Sequence, residues 1–137
     1  SPFVANVRSV RVFNGYLYMS AFKDFAEGIW RAPIISDSIG AAEKYFDFGS
    51  AFPGYQAQGI TFSAAGNLYI ATNAPEGVVI VTPAKAYYTA YGVYKDFFGP
   101  SLKTFAWGSG DVLYAISTDG KLSKIIARSN GAPYYGQ

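Results

Sequence analysis

Residues 58–72 read QGITFSAAGNLYIAT, and this stretch decides the fold. Its two halves are short runs of β-branched and aromatic residues, a composition typical of β-strands. Between them, Gly66 and Asn67 can adopt the positive φ angles that a tight hairpin turn needs. The stretch therefore predicts a β-hairpin.

The same hairpin recurs on either side of this stretch, with landmarks in a fixed order. A Leu-Tyr pair marks the second strand at 17–18, 68–69 and 113–114, so the copies are roughly 45–50 residues apart. An acidic residue and a glycine follow each pair, and aromatic residues before a glycine close each unit. We therefore predict a single region over residues 1–137, built of three units at about 3–49, 50–99 and 100–137.

Each unit is predicted to contain four short strands. Pro33 should end the third strand of the first unit or place it on an edge. The fourth strand is expected at 87–98 in the second unit, with a helical turn over 84–91 as the alternative, and at 129–137 in the third. Repeats of this length with four strands are typical of β-propeller blades. The alternative is an all-β sandwich, whose strands recur at similar intervals, but the repeated landmarks favour a propeller.

The repeats resemble blades of a known architecture. The runs GITF at 59–62, GNLYIA at 66–71 and GDVLYA at 110–115 are similar to the repeat of NHL-type six-bladed propellers, and less closely to blades of tachylectin-type lectins. The resemblance covers nearly the whole chain and implies a blade, not an activity. The first unit departs from the pattern, because Arg8 and Arg11 lie on its inner strand.

Three blades do not close a ring, since propellers have at least four. Each blade packs its faces on its neighbours, so a set of three leaves two apolar faces uncovered. The chain is therefore expected to be a partial propeller or half of a six-bladed ring. The expected partners are additional blades, supplied by self-association or by the rest of a longer chain.

Composition narrows the function classes. The 11 basic and 9 acidic side chains give a net charge of +2 with no run of one sign, which argues against nucleic acid as a partner. The chain has no cysteine and no histidine, so it lacks thiolate chemistry, the commonest general base and the usual zinc ligand. No apolar run approaches the roughly 20 residues of a membrane span. The compartment stays open.

Candidate ligand-binding residues lie in loops that a propeller gathers on one face. These loops connect the second strand to the third within a blade, and the fourth strand to the next blade. Tyr55, Gln56 and Gln58 are predicted to form a sugar platform, because an aromatic face stacks on a sugar ring and amides bond hydroxyl groups. The alternative is an ordinary connection between blades. The remaining candidates are Asn73, Lys23 and Asp24.

The acidic residues before glycine allow two interpretations. Glu27, Glu76 and Asp119 are candidates for a ring that binds a cation such as calcium, or they favour tight turns. Repetition in every unit supports the turns. The resemblance to six-bladed lactonases, which hold calcium near the axis, implies Asn73, Asp24 and Glu76 as a comparable set.

Three functions follow from these observations. The favoured one is a non-catalytic binding or scaffold module that recognises a carbohydrate or a protein partner through loops on one face and needs no cofactor. The first alternative is a calcium-dependent lactonase or similar hydrolase. The second is a structural fragment of a larger propeller.

Overall fold

The computed structural model describes residues 3–75, 77–89, 101–127 and 130–132. Strands make up 59% of the chain and helix 3%, so the protein is all-β, as its repeats predicted. The strands form three antiparallel sheets, which follow one another along the chain. No described helix is long and apolar enough to cross a membrane.

Sheet 1 forms from the first third of the chain and has the order β1-β2-β3-β4, with β5 also paired to β3. Its strands are β1 (Asn6–Phe13), β2 (Tyr16–Lys23), β3 (Ala26–Ile35), β4 (Ser38–Ile39) and β5 (Glu43–Phe46), and one short helix follows, α1 (Phe48–Ala51). Asn14 and Gly15 join β1 to β2 with φ angles of 48° and 81°, as a type I′ hairpin turn requires. The prediction for Pro33 was wrong, because β3 continues past it to Ile35. The Pro33 carbonyl still accepts a bond from Gly40, so the strand keeps a partner there.

Sheet 2 has the order β6-β7-β8-β9, and sheet 3 has the order β10-β11-β12. Their strands are β6 (Ala57–Phe62), β7 (Leu68–Thr72), β8 (Val78–Val81) and β9 (Tyr87–Thr89), then β10 (Leu102–Trp107), β11 (Val112–Ser117) and β12 (Leu122–Ile126). The predicted hairpin at 58–72 is β6 and β7. Of the strand predicted over 87–98, residues 87–89 form β9, and the rest of that range lies outside the described residues.

The tail does not pair with β12 where the structure describes it. Residues 130–132 lie against the end of β6, where Ala64 donates to the Asn130 carbonyl and Ala132 donates to the Phe62 carbonyl. The prediction of a fourth strand over 129–137 is therefore wrong for these three residues, and the rest of it falls outside the described part of the chain. Strand propensity could not reveal which sheet the tail would contact.

The three sheets stack with sheet 2 in the middle. Ile60, Leu68 and Ile70 share a buried cluster with Tyr18 and Ile29 of sheet 1. The other face of sheet 2 belongs to a second cluster, with sheet 3. This cluster contains Tyr69, Ala71, Val78 and Ile80 together with Leu102, Phe105, Trp107, Leu113 and Ala115. Because both faces of sheet 2 are covered, every residue of β7 and β8 is buried.

The first strands of the three sheets are neighbours, with β6 in contact with both β1 and β10. The backbones approach closely at Gly59, where an added Cβ would lie 2.6 Å from the Thr104 Cα. On the other side of β6, the Ser9 hydroxyl accepts a bond of 3.3 Å from the Ile60 amide. The sheets are thus arranged side by side around their first strands.

The outward face of sheet 3 is exposed and carries four large apolar side chains around Lys124. Alternation along paired strands places Tyr114, Ile116, Leu122 and Ile126 on the face opposite the core. Their exposed fractions range from 37% for Tyr114 to 67% for Ile126. A face with four large apolar side chains in this state is typical of an interaction surface.

Candidate functional site

A cleft of about 480 Å³ opens at one end of sheet 1, beside the segment that leads from α1 to sheet 2. The β2–β3 turn forms one side of this cleft, and α1 with the segment that follows it forms the other. Its lining includes Phe22, Phe25, Glu27, Lys44, Asp47, Ser50, Tyr55 and Gln56. The two kinds of loop that sequence reasoning assigned to one face therefore do converge. We call this space the loop cleft.

The β2–β3 connection is a two-residue turn of unusual composition. Asp24 and Phe25 have φ angles of 53° and 63°, in the left-handed region that glycine and asparagine favour. A phenylalanine there is strained, and it gains no burial in return, because Phe25 is 96% exposed. Strained residues of this kind concentrate at binding and catalytic sites.

Two further aromatic rings stand beside Phe25. Phe22 is 40% exposed and Tyr55 is 39% exposed, and both line the loop cleft. Exposed aromatic rings around a cavity provide flat apolar faces on which a ligand ring can stack. The cleft is therefore equipped for a ligand with both apolar faces and polar edges.

A chain of amide groups connects the polar candidates. The Gln56 backbone amide donates to the Asn73 Oδ1 at 2.7 Å, which ties the segment after α1 to the β7–β8 loop. The Gln58 Nε2 donates to the Gln56 Oε1 at 3.2 Å. The structure thus brings together Tyr55, Gln56, Gln58 and Asn73, the first two of them in the lining of the cleft.

Lys23 and Asp24 lie elsewhere. Lys23 is the last residue of β2, and its Nζ pairs with the Asp24 carboxylate at 2.9 Å. The same Nζ lies 5.4 Å from the centre of the Trp30 ring, and Lys23 lines a different cleft on the outward face of sheet 1. The expected polar loop around these residues is a tight turn, so their side chains do not reach the loop cleft.

An ion pair lies at the inner end of the loop cleft. Arg8 donates from both terminal nitrogens to the two Glu27 carboxylate oxygens, at 2.6 and 2.7 Å, and the side chains are only 18% and 10% exposed. Arg8 has no partner in the β1–β2 register, because a bulge interrupts that register between Val7 and Ser9. A bulge redirects a side chain, and here it turns the arginine toward β3. Sequence reasoning noted Arg8 as a departure from the repeat but missed this pairing.

The acidic positions are occupied by local contacts. Asp119 accepts a bond from the Ser117 hydroxyl at the β11–β12 turn, in agreement with the turn interpretation. Glu27 instead lies within β3 and bonds Arg8, so the turn interpretation was wrong for Glu27. The Asn73 Oδ1 is bonded to Gln56, while Glu76 lies outside the described residues. Among the residues described, no group of three or more acidic, histidine or cysteine side chains could hold a metal ion.

Asp47 is the cleft residue with a perturbed pKa. Hydrogen bonds from the Ser50 hydroxyl and amide lower the pKa of this carboxyl below its ordinary value. Asp47 caps the N-terminus of α1 and stays ionised near neutral pH. It therefore offers acceptor oxygens at the cleft rather than a proton.

The rings at the entrance of the cleft were missed by sequence reasoning. Phe22 and Phe25 flank the predicted polar loop, and the signal was available at Phe25. An apolar aromatic residue stands in a two-residue connection where Asn or Gly is the usual choice. A turn residue that contradicts turn chemistry is a sequence sign of a functional position.

The fold is similar to that of a solved β-propeller, luciferin-regenerating enzyme. The two structures align with a TM-score of 0.71 and 16% sequence identity, over 96% of this chain and 48% of that one. The chain thus spans about half the length of that protein. At this identity the likeness shows the fold alone. No protein-family model matches the chain, and no curated protein matches it by sequence, so the NHL-type and tachylectin-type resemblances stay predictions.

Proposed function

We propose that this protein is a propeller-type binding module that recognises a carbohydrate through the loop cleft. The observation that carries the proposal is Phe25, a strained and almost fully exposed ring at the entrance of a cleft that two other exposed rings line. Sugar recognition needs aromatic faces for the C–H surfaces of the ring and polar groups for the hydroxyls. The Gln56 amide, the Asp47 carboxylate and the Lys44 ammonium are the polar groups in the same lining.

A glycan array followed by titration calorimetry tests this proposal. The wild-type chain is expected to bind at least one class of glycan. Tyr55→Ala should weaken that glycan by at least about tenfold, because stacking on one aromatic ring contributes about 1–1.5 kcal/mol and its hydroxyl contributes a hydrogen bond. Tyr88→Ala, on β9 and outside the lining of the cleft, is the matched control and should bind like the wild type. An empty array, or equal losses in the two variants, would refute the proposal.

We further propose that the three sheets are three blades of a six-bladed ring. When this chain is the only protein present, a second copy of it supplies the other three blades. The support is the apolar outward face of sheet 3, together with the alignment of this chain to about half of a solved propeller. Two copies would supply the missing half, with sheet 3 of each packed on sheet 1 of the other. The outward side of sheet 1 has a cleft lined by Leu17, Met19 and Ile39 that suits this contact.

Sedimentation equilibrium at micromolar concentration tests the assembly. The expected mass is twice the 14.8 kDa of the chain. Replacing both Leu122 and Ile126 with lysine should give a monomer, because desolvating two charges opposes the contact. Phe25→Ala, in a loop, is the control and should remain a dimer. A wild-type monomer, or a lysine variant that still dimerises, would refute the proposal.

A further inference from the structure

A second cleft lies between sheets 1 and 2 at the end opposite the loop cleft, among the hairpin turns. It has a volume of about 370 Å³, within the range of small-molecule sites. Its lining comprises Phe13, Asn14, Tyr18, Arg31, Tyr45, Phe62, Pro83 and Lys85, with the turn residues 64–66. We call it the turn cleft. It shares no lining residue with the loop cleft.

The charge in the turn cleft is of one sign. Arg31 and Lys85 are both in the lining, which contains no acidic residue among those that the structure describes. Both cations lie beside the Tyr45 ring, with the Arg31 guanidinium carbon 5.1 Å and the Lys85 Nζ 5.2 Å from its centre. Arg31 has Glu43 as a counter-ion outside the lining, whereas Lys85 has no acidic partner in it, so the cleft keeps a positive charge that attracts an anion.

Arg31 is held in a fixed orientation. Its Nε donates to the Glu43 carboxylate at 2.6 Å, and its guanidinium stacks 4.2 Å above the centre of the Tyr16 ring. One terminal nitrogen donates to the Tyr18 hydroxyl at 3.3 Å. Glu43 contacts the guanidinium at Nε, and no described residue bonds the other terminal nitrogen. A pre-positioned arginine of this kind is well suited to bind a carboxylate.

Tyr45 provides a second, independent observation. The residue as a whole is only 7% exposed, but its hydroxyl oxygen is open to the cleft and makes no hydrogen bond to a described residue. Burial, followed by the nearby Tyr18, raises the pKa of Tyr45, so the hydroxyl keeps its proton and can donate. A hydroxyl that opens into the cleft without a protein partner is available to donate to a ligand.

The remaining walls of the turn cleft are apolar. Phe13 and Phe62 stack with their ring centres 4.3 Å apart and their planes 6° apart, and Tyr18 packs edge-on against Phe62. Pro83 adds a further apolar side. The ligand that fits therefore has a charged end and a flat apolar body.

We propose that the turn cleft binds a small organic carboxylate with an aromatic or similarly apolar ring. The carboxylate accepts bonds from Arg31, Lys85 and the Tyr45 hydroxyl, and the ring lies against Phe13, Phe62 and Pro83. This site is independent of the carbohydrate site, so either can fail without the other.

The experiment uses the ¹⁵N-labelled chain and three probes, namely benzoate, neutral benzamide and inorganic phosphate. Benzoate should shift the amide signals of residues 64–66 and Lys85 in a saturable manner. Benzamide, which has the same shape without the charge, should bind at least about tenfold more weakly, as should phosphate, which lacks the ring. Equal binding of benzoate and benzamide, or no saturable shift, would overturn the proposal. Phosphate that binds as tightly as benzoate would overturn the role of the apolar walls.

Two variants locate the site. Tyr45→Phe removes the unpaired hydroxyl and should weaken benzoate roughly three- to tenfold. Its melting temperature should not fall, because the hydroxyl has no described protein partner to lose. Lys85→Gln should weaken benzoate roughly two- to fivefold, since an exposed charge contributes modestly. Lys103→Gln makes the same change on sheet 3 and should have no effect. Equal effects of the two lysine variants, or undiminished binding by Tyr45→Phe, would overturn the assignment.

Discussion

The Phe25 turn allows a prediction in which stability and binding change in opposite directions. Phe25 lies at a φ of 63° and is 96% exposed, so its ring contributes strain but almost no burial. The hidden part of a phenylalanine side chain of about 200 Å² would be about 8 Å², worth about 0.2 kcal/mol. The left-handed conformation costs a residue with a Cβ about 1 kcal/mol, and asparagine relieves much of that cost.

Phe25→Asn should therefore raise the free energy of unfolding by about 0.5–1 kcal/mol, because it relieves more strain than it loses in burial. For a domain of this size, that change raises the melting temperature by about 2–4 °C. Phe25→Gly relieves the same strain but gains flexibility in the unfolded chain, so its net effect should be smaller. Phe25→Ala keeps a Cβ at the strained position and should leave the melting temperature unchanged.

Differential scanning calorimetry of the four proteins under one buffer condition measures these differences. The expected order of melting temperatures is Asn first, then Gly, then Ala together with the wild type. A melting temperature that falls by several degrees in all three variants would refute the reasoning. It would mean that the ring packs against the protein and stabilises it, so that Phe25 is not a strained residue kept for a ligand.

Three further predictions concern the ion pair, the contact between sheets 2 and 3, and the α1 cap. Glu27→Gln should lower the free energy of unfolding, measured by urea titration, by about 3 kcal/mol, because it leaves the largely buried Arg8 without a counter-ion. An unchanged urea midpoint would contradict the pairing. Gly59→Ala should lower the free energy of unfolding by about 2 kcal/mol or more in the same assay, since the new Cβ would meet the Thr104 backbone, which cannot move aside. A neutral effect would contradict the close approach of β6 and β10. Asp47→Ala should lower stability by about 1 kcal/mol at neutral pH through loss of the cap. The pKa of Asp47 is lowered in the folded protein, so its contribution to the free energy of unfolding is present above the ordinary value of 3.8. That contribution is lost as the pH falls through the folded pKa. A stability difference between Asp47→Ala and the wild type that grows on acidification would contradict this sign.

Local patterns predicted the hairpins well. Residues 58–72 and the Asn14-Gly15 turn carry their strand and turn signals within a few residues, and the structure follows them. Trp107 stands six residues before its Leu-Tyr pair, as Phe62 does, which indicates a core position, and Trp107 is buried at 8% exposure. These features depend on side-chain period and turn chemistry, both of which are visible in sequence.

Contacts between distant elements could not be predicted in this way. Arg8 meets Glu27 only because a bulge in β1 turns it toward β3, and strand period carries no signal for a bulge. The return of 130–132 to the end of β6 depends on the packing of three sheets. The loop cleft was located by its loops. For Phe25 the sequence shows an aromatic residue where Asn or Gly is usual in a turn, and the φ angle and exposure add its strain and its lack of burial.

Whether the strained ring of Phe25 takes part in recognition is measured by the binding of an array-selected glycan to Phe25→Asn and to the wild type. We expect a variant that is folded, at least as stable as the wild type, and at least about tenfold weaker in glycan affinity. A Phe25→Asn variant that binds the glycan with undiminished affinity would contradict this expectation, because the strained ring would then have no part in recognition.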